Sequence, residues 1–505
     1  MSIMTVWNLL GPTVQPLWVV QGTIALALLA VLHTTFSLVR SRIRHYPGPL
    51  WAKLSPLWLV SQCRNTQRSK AVMQLHKKYG DFVQIGPNHI SINRPEAVAQ
   101  IYGHKTGFTK SEFYDAFLQV RPVVFNARDV AAHTRKRKLV NPAFSARALS
   151  DFEPYMDAEL RAWKRRLVGM ISNSEASLDF AVWTNYLAFD VISSFAFGKP
   201  FGFIAWGEDP YNLISTVDAR GEVLNALGVV PSKLRRFMKY HPFDSFWSHG
   251  LRATSNLEKI GREAFHDRKK SNEGRKDLLS YLFAATDPDT KQPIKEEEII
   301  AESISFIVGG SDTTSSTMTN FIDIVSRNRL LQTRLQDELD SKFPGEPIET
   351  WVPSENEVSG LPFLLAVLRE VMRFRPTSAT GLERVTPRGG KVIAGQFIPE
   401  MTVVSVPTCG VMSDPGIFDS PAEFKPDRWL EPNAGNLMEY FFPFSTGPRA
   451  CIGRNFAWME ILKAMVIIFK LFDIERVADE PTVIREGFFN KATECKVLIR
   501  RRNFH

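Results

Sequence analysis

Ten residues near the C-terminus, Phe444-Ser-Thr-Gly447-Pro-Arg449-Ala-Cys451-Ile-Gly453, constrain this chain more than any other stretch. A lone cysteine in a large chain is usually a small buried hydrophobe. The neighbours of Cys451 argue otherwise. Gly447 and Gly453 give a turn that can pass close to a flat ligand and take backbone angles other residues resist. Residues 454–469 then form an apolar-rich run that reads as a helix. Cys451 therefore sits at a helix N-terminus beside Arg449, a setting that favours thiolate over thiol. Phe444 is placed to cover one side of the sulfur and keep water away. A soft anionic sulfur in a dry pocket is an axial ligand for haem iron.

The pattern Phe-x-x-Gly-x-Arg-x-Cys-x-Gly resembles the haem-binding loop of the cytochrome P-450 superfamily at every fixed position. The resemblance implies haem b as cofactor with Cys451 as its axial thiolate, the sulfur pushing electron density toward O–O cleavage. It also implies the family's fold, mainly α with small β-sheets, the haem lying between a long central helix and the helix after the cysteine loop.

At 505 residues the chain is long enough for one large domain or two to three ordinary ones. A 44% hydrophobic and 23% charged composition is that of a folded globular protein. The net charge of +9 suits an acidic protein partner or an anionic membrane, and no basic block is dense enough to argue nucleic acid. Cys63, Cys409, Cys451 and Cys495 are far apart with no Cys-x-x-Cys pair, which argues against a zinc site or a disulfide framework.

Residues 17–39 are uncharged and mostly apolar, and at about 1.5 Å per residue would span roughly 34 Å, enough to cross a bilayer core. A cleaved signal peptide wants a basic leading segment, which residues 1–16 lack. Arg40, Arg42 and Arg44 follow the run, so the positive-inside rule places the main body in the cytosol. The expected organisation is a short lumenal N-terminus (1–16), a single transmembrane anchor (17–39), a basic and proline-rich hinge (40–50), and a catalytic domain (51–505) on the cytosolic side of the endoplasmic reticulum. Pro47 and Pro49 stiffen the hinge.

Residues 81–93 read as two short strands around Gly86-Pro87-Asn88, and 95–102 as a short helix. Residues 104–128 look irregular yet carry Phe108, Phe113, Tyr114, Phe117 and Phe125; such a long loop is usually functional. It resembles the loop that roofs the family's substrate pocket. Residues 133–142 read blandly as a solvated basic helix face. His133 and Arg137 nevertheless share one face, and the resemblance implies that they hydrogen-bond the haem propionates, with His133 where the family often has Trp.

Residues 295–325 have helical periodicity, with glutamates at the N-terminal end where the helix dipole favours them. Gly309 and Gly310 in the middle cost roughly 1 kcal/mol each against alanine, so they need a reason. Gly309-Gly310-Ser-Asp312-Thr313 resembles the family's oxygen-handling box, which implies a local widening of the helix over the iron. Cleaving an O–O bond consumes two protons. The Thr313 hydroxyl as donor and the Asp312 acid that recharges it suit that task.

Residues 361–375 read as a helix ending at Pro376 and contain Glu370-Val-Met-Arg373; Pro426-Asp-Arg428-Trp429 follows later. The resemblance implies a buried Glu370–Arg373–Arg428 network that holds the cysteine loop. It also makes Arg384 and Arg449 propionate partners, since guanidinium forks match carboxylates. Residues 391–406 read as strand hairpins, and 487–490 as a loop closing the pocket from below.

The implied activity is insertion of one oxygen of O2 into a small hydrophobic substrate, aromatic or polyketide-like, in secondary metabolism. Electrons would come from an NADPH-dependent flavoprotein reductase, with a b-type cytochrome as a further donor. Residues 128–138 and 220–228 resemble segments of fungal benzoate para-hydroxylases, so a para-hydroxylase of aromatic catabolism is one alternative. Arg121 is then a candidate anchor for a substrate carboxylate, against the plain reading of a surface arginine. A haem-thiolate isomerase or dehydratase would need no reductase and would dispense with the Asp312–Thr313 pair. A membrane-tethered haem binder or sensor, with no catalysis, would not require that pair either.

Overall fold

The computed structural model describes residues 41–171, 175–239, 244–271, 274–477 and 482–504, with Gln21 alone before them. The expected lumenal segment and the anchor over 17–39 therefore lie outside the described residues, Gln21 apart.

The fold is mostly helical with small sheets. Its axis is a helix over Glu296–Ser326 whose first turn carries Glu296, Glu297 and Glu298, where the unpaired N–H groups favour negative charge. From Ile299 onward most of its side chains are buried. Against it lies Phe180–Phe197, predominantly apolar and buried almost throughout, as a helix without a solvated polar face must be in a folded core. Among the described residues this is the one helix long and apolar enough to cross a membrane, but 94% of it is buried inside the protein. It is a core helix.

The central helix corrects one expectation. It runs as continuous α-helix through Gly309 and Gly310, with no widened turn. Gly310 has a packing reason instead. A Cβ at Gly310 would lie 2.6 Å from the Ile192 side chain, so glycine sets how closely the two core helices approach. Gly309 has nothing within 4 Å of its missing Cβ.

The helix Arg454–Leu471 packs on the central helix and is buried along most of its length. Beside this helical body a five-stranded sheet runs in the order Phe82–Gly86, His89–Ile92, Val403–Ser405, Arg384–Val385, Thr109–Lys110. The first pair is the expected antiparallel hairpin, with Phe82 opposite Ile92. Arg384 is held in this sheet between Lys110 and Val404. A second hairpin, Ile484–Glu486 with Asn490–Ala492, carries the 487–489 turn toward the central helix.

The helices expected at 95–102 and 361–375 occur as Pro95–Tyr102 and Pro362–Phe374. The aromatic segment is more ordered than its composition suggested: Thr109–Lys110 joins the sheet and Glu112–Phe117 forms a 3-10 helix. Its rings pack on one another, with centroids 5.4 Å apart for Phe113 and Phe117 and 4.9 Å for Phe117 and Phe488. The hinge is fastened rather than free. Ile43 and Tyr46 are buried, the Tyr46 hydroxyl donates to the Phe397 carbonyl at 3.2 Å, and the Gln84 amide donates to the Pro47 carbonyl at 2.7 Å.

Candidate functional site

A cavity of about 320 Å³ lies between the central helix and the cysteine loop. Gly309, Asp312 and Thr313 face it from one side, and Phe444, Cys451 and Gly453 from the other. The aromatic segment and the 487–489 turn close its flanks through Phe117, Phe125 and Phe488.

The cysteine loop is shaped by one glycine. Gly447 has φ +70° and its missing Cβ would fall 2.0 Å from the Tyr102 carbonyl oxygen, so only glycine fits. Gly453 differs from expectation: its φ of −81° is open to any residue, and the nearest atom to a Cβ there is 4.0 Å away. It leaves a flat face on the cavity instead. The Cys451 amide donates to the Phe444 carbonyl at 2.9 Å, closing the loop, and the Phe444 ring lies 6.2 Å from that of Trp458.

Cys451 is exposed to the cavity while protein encloses it from bulk solvent. Burial pushes its thiol up, and the Gly453 amide, Arg137 and Arg454 only partly oppose this. Two sequence expectations are corrected here. The protein alone does not favour the thiolate, because desolvation outweighs the helix end. Nor is Arg449 the sulfur's cationic neighbour: its guanidinium donates to the carbonyls of Ala127, Arg128 at 3.1 Å and Asp129 at 3.5 Å. A metal on the sulfur would supply the missing stabilisation, since coordination deprotonates thiols.

Four cations gather at the cavity's edge: Lys110, Arg137, Arg384 and Arg449, with His133 among them. Arg137 donates to the Ala450 carbonyl at 2.8 Å, fixing the residue before Cys451. Arg384 donates to the Tyr114 hydroxyl at 3.2 Å, and Lys110 to the Phe125 carbonyl. Among the described residues none of the four has an ion-pair partner. Burial, then mutual repulsion, drives Lys110 well below its ordinary value, His133 to about 3 and Arg449 to about 10. Such a nest of uncompensated positive charge calls for a dianion. A haem's two propionates, with iron on Cys451 and the ring against Gly453, fit these residues. Lys110 escapes sequence reasoning, and Tyr114 reads there only as an aromatic of the pocket roof, because a strand and a 3-10 helix bring them to the nest, not any local motif.

Opposite the sulfur, Thr313 is exposed to the cavity and its hydroxyl donates to the Gly309 carbonyl at 2.8 Å. The neighbouring Asp312 carboxylate is buried and accepts from Lys491 Nζ at 3.1 Å; the same ammonium bonds Asp218 at 2.6 Å. Burial pushes the Asp312 carboxyl up, with Lys491 opposing and Asp218 adding to the rise. Asp218 and Lys491 carry no motif. The one available signal was the position of Lys491 beside the pocket-closing 487–490 turn.

Behind the loop, Glu370 accepts from Arg373 at 2.7 and 2.9 Å, from Arg428 at 3.3 Å and from the Trp429 indole at 2.9 Å. Arg373 also donates to the carbonyls of Met412 and Pro421, at 2.9 and 3.0 Å. The Trp429 ring lies 5.0 Å from Phe441, three residues before Phe444. The structure thus brings Glu370, Arg373 and Arg428 together.

A cytochrome P-450 family model matches residues 45–499. A benzoate 4-monooxygenase of Aspergillus niger is 36% identical over 95% of this chain and 97% of its own length. A cytochrome P-450 monooxygenase of Penicillium roqueforti is 29% identical over 90% and 94%. A pisatin demethylase of Fusarium vanettenii is 27% identical over 95% and 94%.

Proposed function

We propose, from the premise that this chain belongs to the cytochrome P-450 family of haem-dependent monooxygenases, that it hydroxylates or epoxidises a small hydrophobic, aromatic or polyketide-like molecule. The observation that carries this is one cavity uniting Cys451, the unpaired cation nest and the Asp312–Thr313 pair. Bound haem supplies the activation of dioxygen.

The residues then divide the work. Cys451 Sγ would hold the iron, with Phe444 shielding the sulfur from water. Arg384, Arg449, Arg137 and His133 would receive the propionates, His133 as a neutral imidazole donor. Glu370, Arg373 and Arg428 hold the segment behind the loop. Thr313 holds a proton at Oγ1, bonded to the Gly309 carbonyl on the cavity wall, where it would be available to the chemistry the haem supplies. Asp312 returns a proton to Thr313, and Lys491 with Asp218 keeps that carboxyl in place while burial keeps it protonatable. Apolar walls exclude water and orient the substrate.

Enzymes of this family take electrons from a redox partner. The partner proposed is an NADPH-dependent flavoprotein reductase, with a b-type cytochrome as second donor. Exposed Lys138 and Arg454, near the cysteine loop, suit an acidic docking face. A single-pass anchor at 17–39 in the endoplasmic reticulum is supported by Leu50 at the end of the hinge and by Trp51 and Leu57 just after it, all exposed apolar side chains. The benzoate of the Aspergillus relative's name directs the first substrate panel to aromatic compounds, within a secondary-metabolic setting. The test is turnover with reductase, NADPH and isotope-labelled dioxygen. One labelled oxygen in the product is the expected result; product without label, or formed without NADPH, would sink the reading.

A further inference from the structure

The carboxylates that line the cavity are already engaged. Asp218 and Asp312 share Lys491, Glu222 pairs with Arg485, and Glu302 accepts from the Val124 amide at 3.0 Å with Lys136 at 3.6 Å. Apart from the cation nest, two arginines on the cavity wall, Arg121 and Arg220, have no ion pair among the described residues, and of the two only Arg220 is buried. Arg220, on the helix Leu213–Val229, is only 6% exposed and lines the cavity. Its Nε is buried with no hydrogen-bond partner, and no ion pair involves its guanidinium among the described residues. Burial alone pushes it down, to about 10, so it keeps its charge at neutral pH with no carboxylate offsetting it.

Arg220 is not a fifth member of the nest. Lys110, Arg137, Arg384 and Arg449 bear on one another or on His133, yet none of them acts on Arg220. Its helix instead abuts the turn that closes the pocket: a Cβ at Gly487 would lie 3.3 Å from the Glu222 amide nitrogen. Buried guanidinium groups are normally paired, because an unpaired charge in an apolar enclosure is costly. Here the missing partner has to come from the cavity. The planar fork matches a carboxylate in geometry and charge. Arg121 lines the same cavity but is exposed, and a cation already solvated gains far less from an anion.

We propose that Arg220 binds the carboxylate of the substrate, so that the cavity takes a hydrophobic carboxylic acid as its anion, head on Arg220 and apolar body in the space shared with Thr313. The assignment rests on the monooxygenase reading above and deepens it to a substrate class. It also makes Arg220, rather than Arg121, the residue that separates acids from their neutral analogues.

The test uses the full-length, haem-loaded protein and follows the Soret shift on titration with benzoate, cinnamate and 2-naphthoate, each beside its methyl ester. The reduced, carbon-monoxide-treated spectrum is recorded on every sample. Wild type is expected to bind at least one acid about 10-fold or more tighter than its ester. Arg220→Gln should weaken that acid by about 10- to 100-fold while leaving the ester within about twofold; Arg220→Lys should keep part of the preference. The proposal is overturned if no acid is preferred by wild type, if Arg220→Gln keeps the preference, or if Arg121→Gln removes it instead. Should Arg220→Gln fail to take up haem, Arg220→Lys and the wild-type acid-to-ester ratio decide. Loss of the long-wavelength carbon-monoxide band in wild type would remove the haem-thiolate reading itself, an outcome distinct from a missing acid preference.

Discussion

Cys451 is surrounded by protein that would keep it protonated, because the cost of desolvating a thiolate exceeds what the Gly453 amide and two arginines return. Its anionic form therefore depends on iron, and serine, a much poorer iron ligand, cannot stand in. Cys451→Ser is expected to lose the long-wavelength band of the reduced carbon-monoxide complex and all turnover, as read by difference spectroscopy. Asp312 presents a second balance. Its folded carboxyl titrates above the ordinary value, so the stability linked to it is present at low pH and is lost as pH rises through the folded value. Lys491 limits that rise. Lys491→Met should push the carboxyl further up, carrying both the pH-dependent loss of stability and the alkaline limb of turnover to higher pH. Thermal midpoints and product formation measured across pH check this; an unmoved alkaline limb would remove Asp312 from proton delivery.

Two short elements decide whether the cavity exists at all. The loop before Cys451 turns on Gly447, whose left-handed φ and contact with the Tyr102 carbonyl exclude a side chain. Gly447→Ala adds about 1–2 kcal/mol of backbone strain before the clash is relieved. The expected outcome is apoprotein with near-native far-ultraviolet dichroism and little bound haem. The Glu370 cluster works through charge instead. Glu370→Ala strands Arg373, which is fully buried, and Arg428 beside it. Breaking such a pair costs about 3–5 kcal/mol, so the variant should accumulate poorly and melt earlier in thermal scans, whether or not haem is supplied. Gly310 shows why motif and mechanism need separating. Its conformity to the oxygen box reflects Ile192 packing against the bare backbone, not a distorted helix.

At the scale of the whole molecule, the hinge is strapped through Tyr46 to Phe397 in the hairpin of Lys391–Ile393 with Gln396–Ile398 and through Pro47 to Gln84 in the five-stranded sheet, so an anchor over 17–39 would hold the catalytic body at a set attitude. A variant lacking residues 1–40 is expected to leave the membrane pellet in fractionation while retaining its carbon-monoxide band. Retention in the pellet would place the attachment on the body itself, where Leu50, Trp51 and Leu57 are exposed.

Much of this architecture was written locally. The periodicity of Glu296–Ser326, the Gly86-Pro87-Asn88 turn, the Glu370-x-x-Arg373 spacing and the ten residues around Cys451 act over one or two turns of chain, and such short-range preferences survive without the fold. The charge balance did not. Lys491 meets Asp218 across 273 residues of sequence, Arg449 turns from the sulfur to the Ala127–Asp129 backbone, and Arg220 ends with no ion-pair partner among the described residues. A side chain's helical phase can be read from its neighbours, but its counter-ion is chosen only when distant elements are brought within a few ångströms and water is squeezed out between them. That desolvation, set by tertiary packing alone, is what leaves Lys110, Arg137, Arg384 and Arg449 gathered at the cavity's edge, and Arg220 on its wall, without ion-pair partners among the described residues.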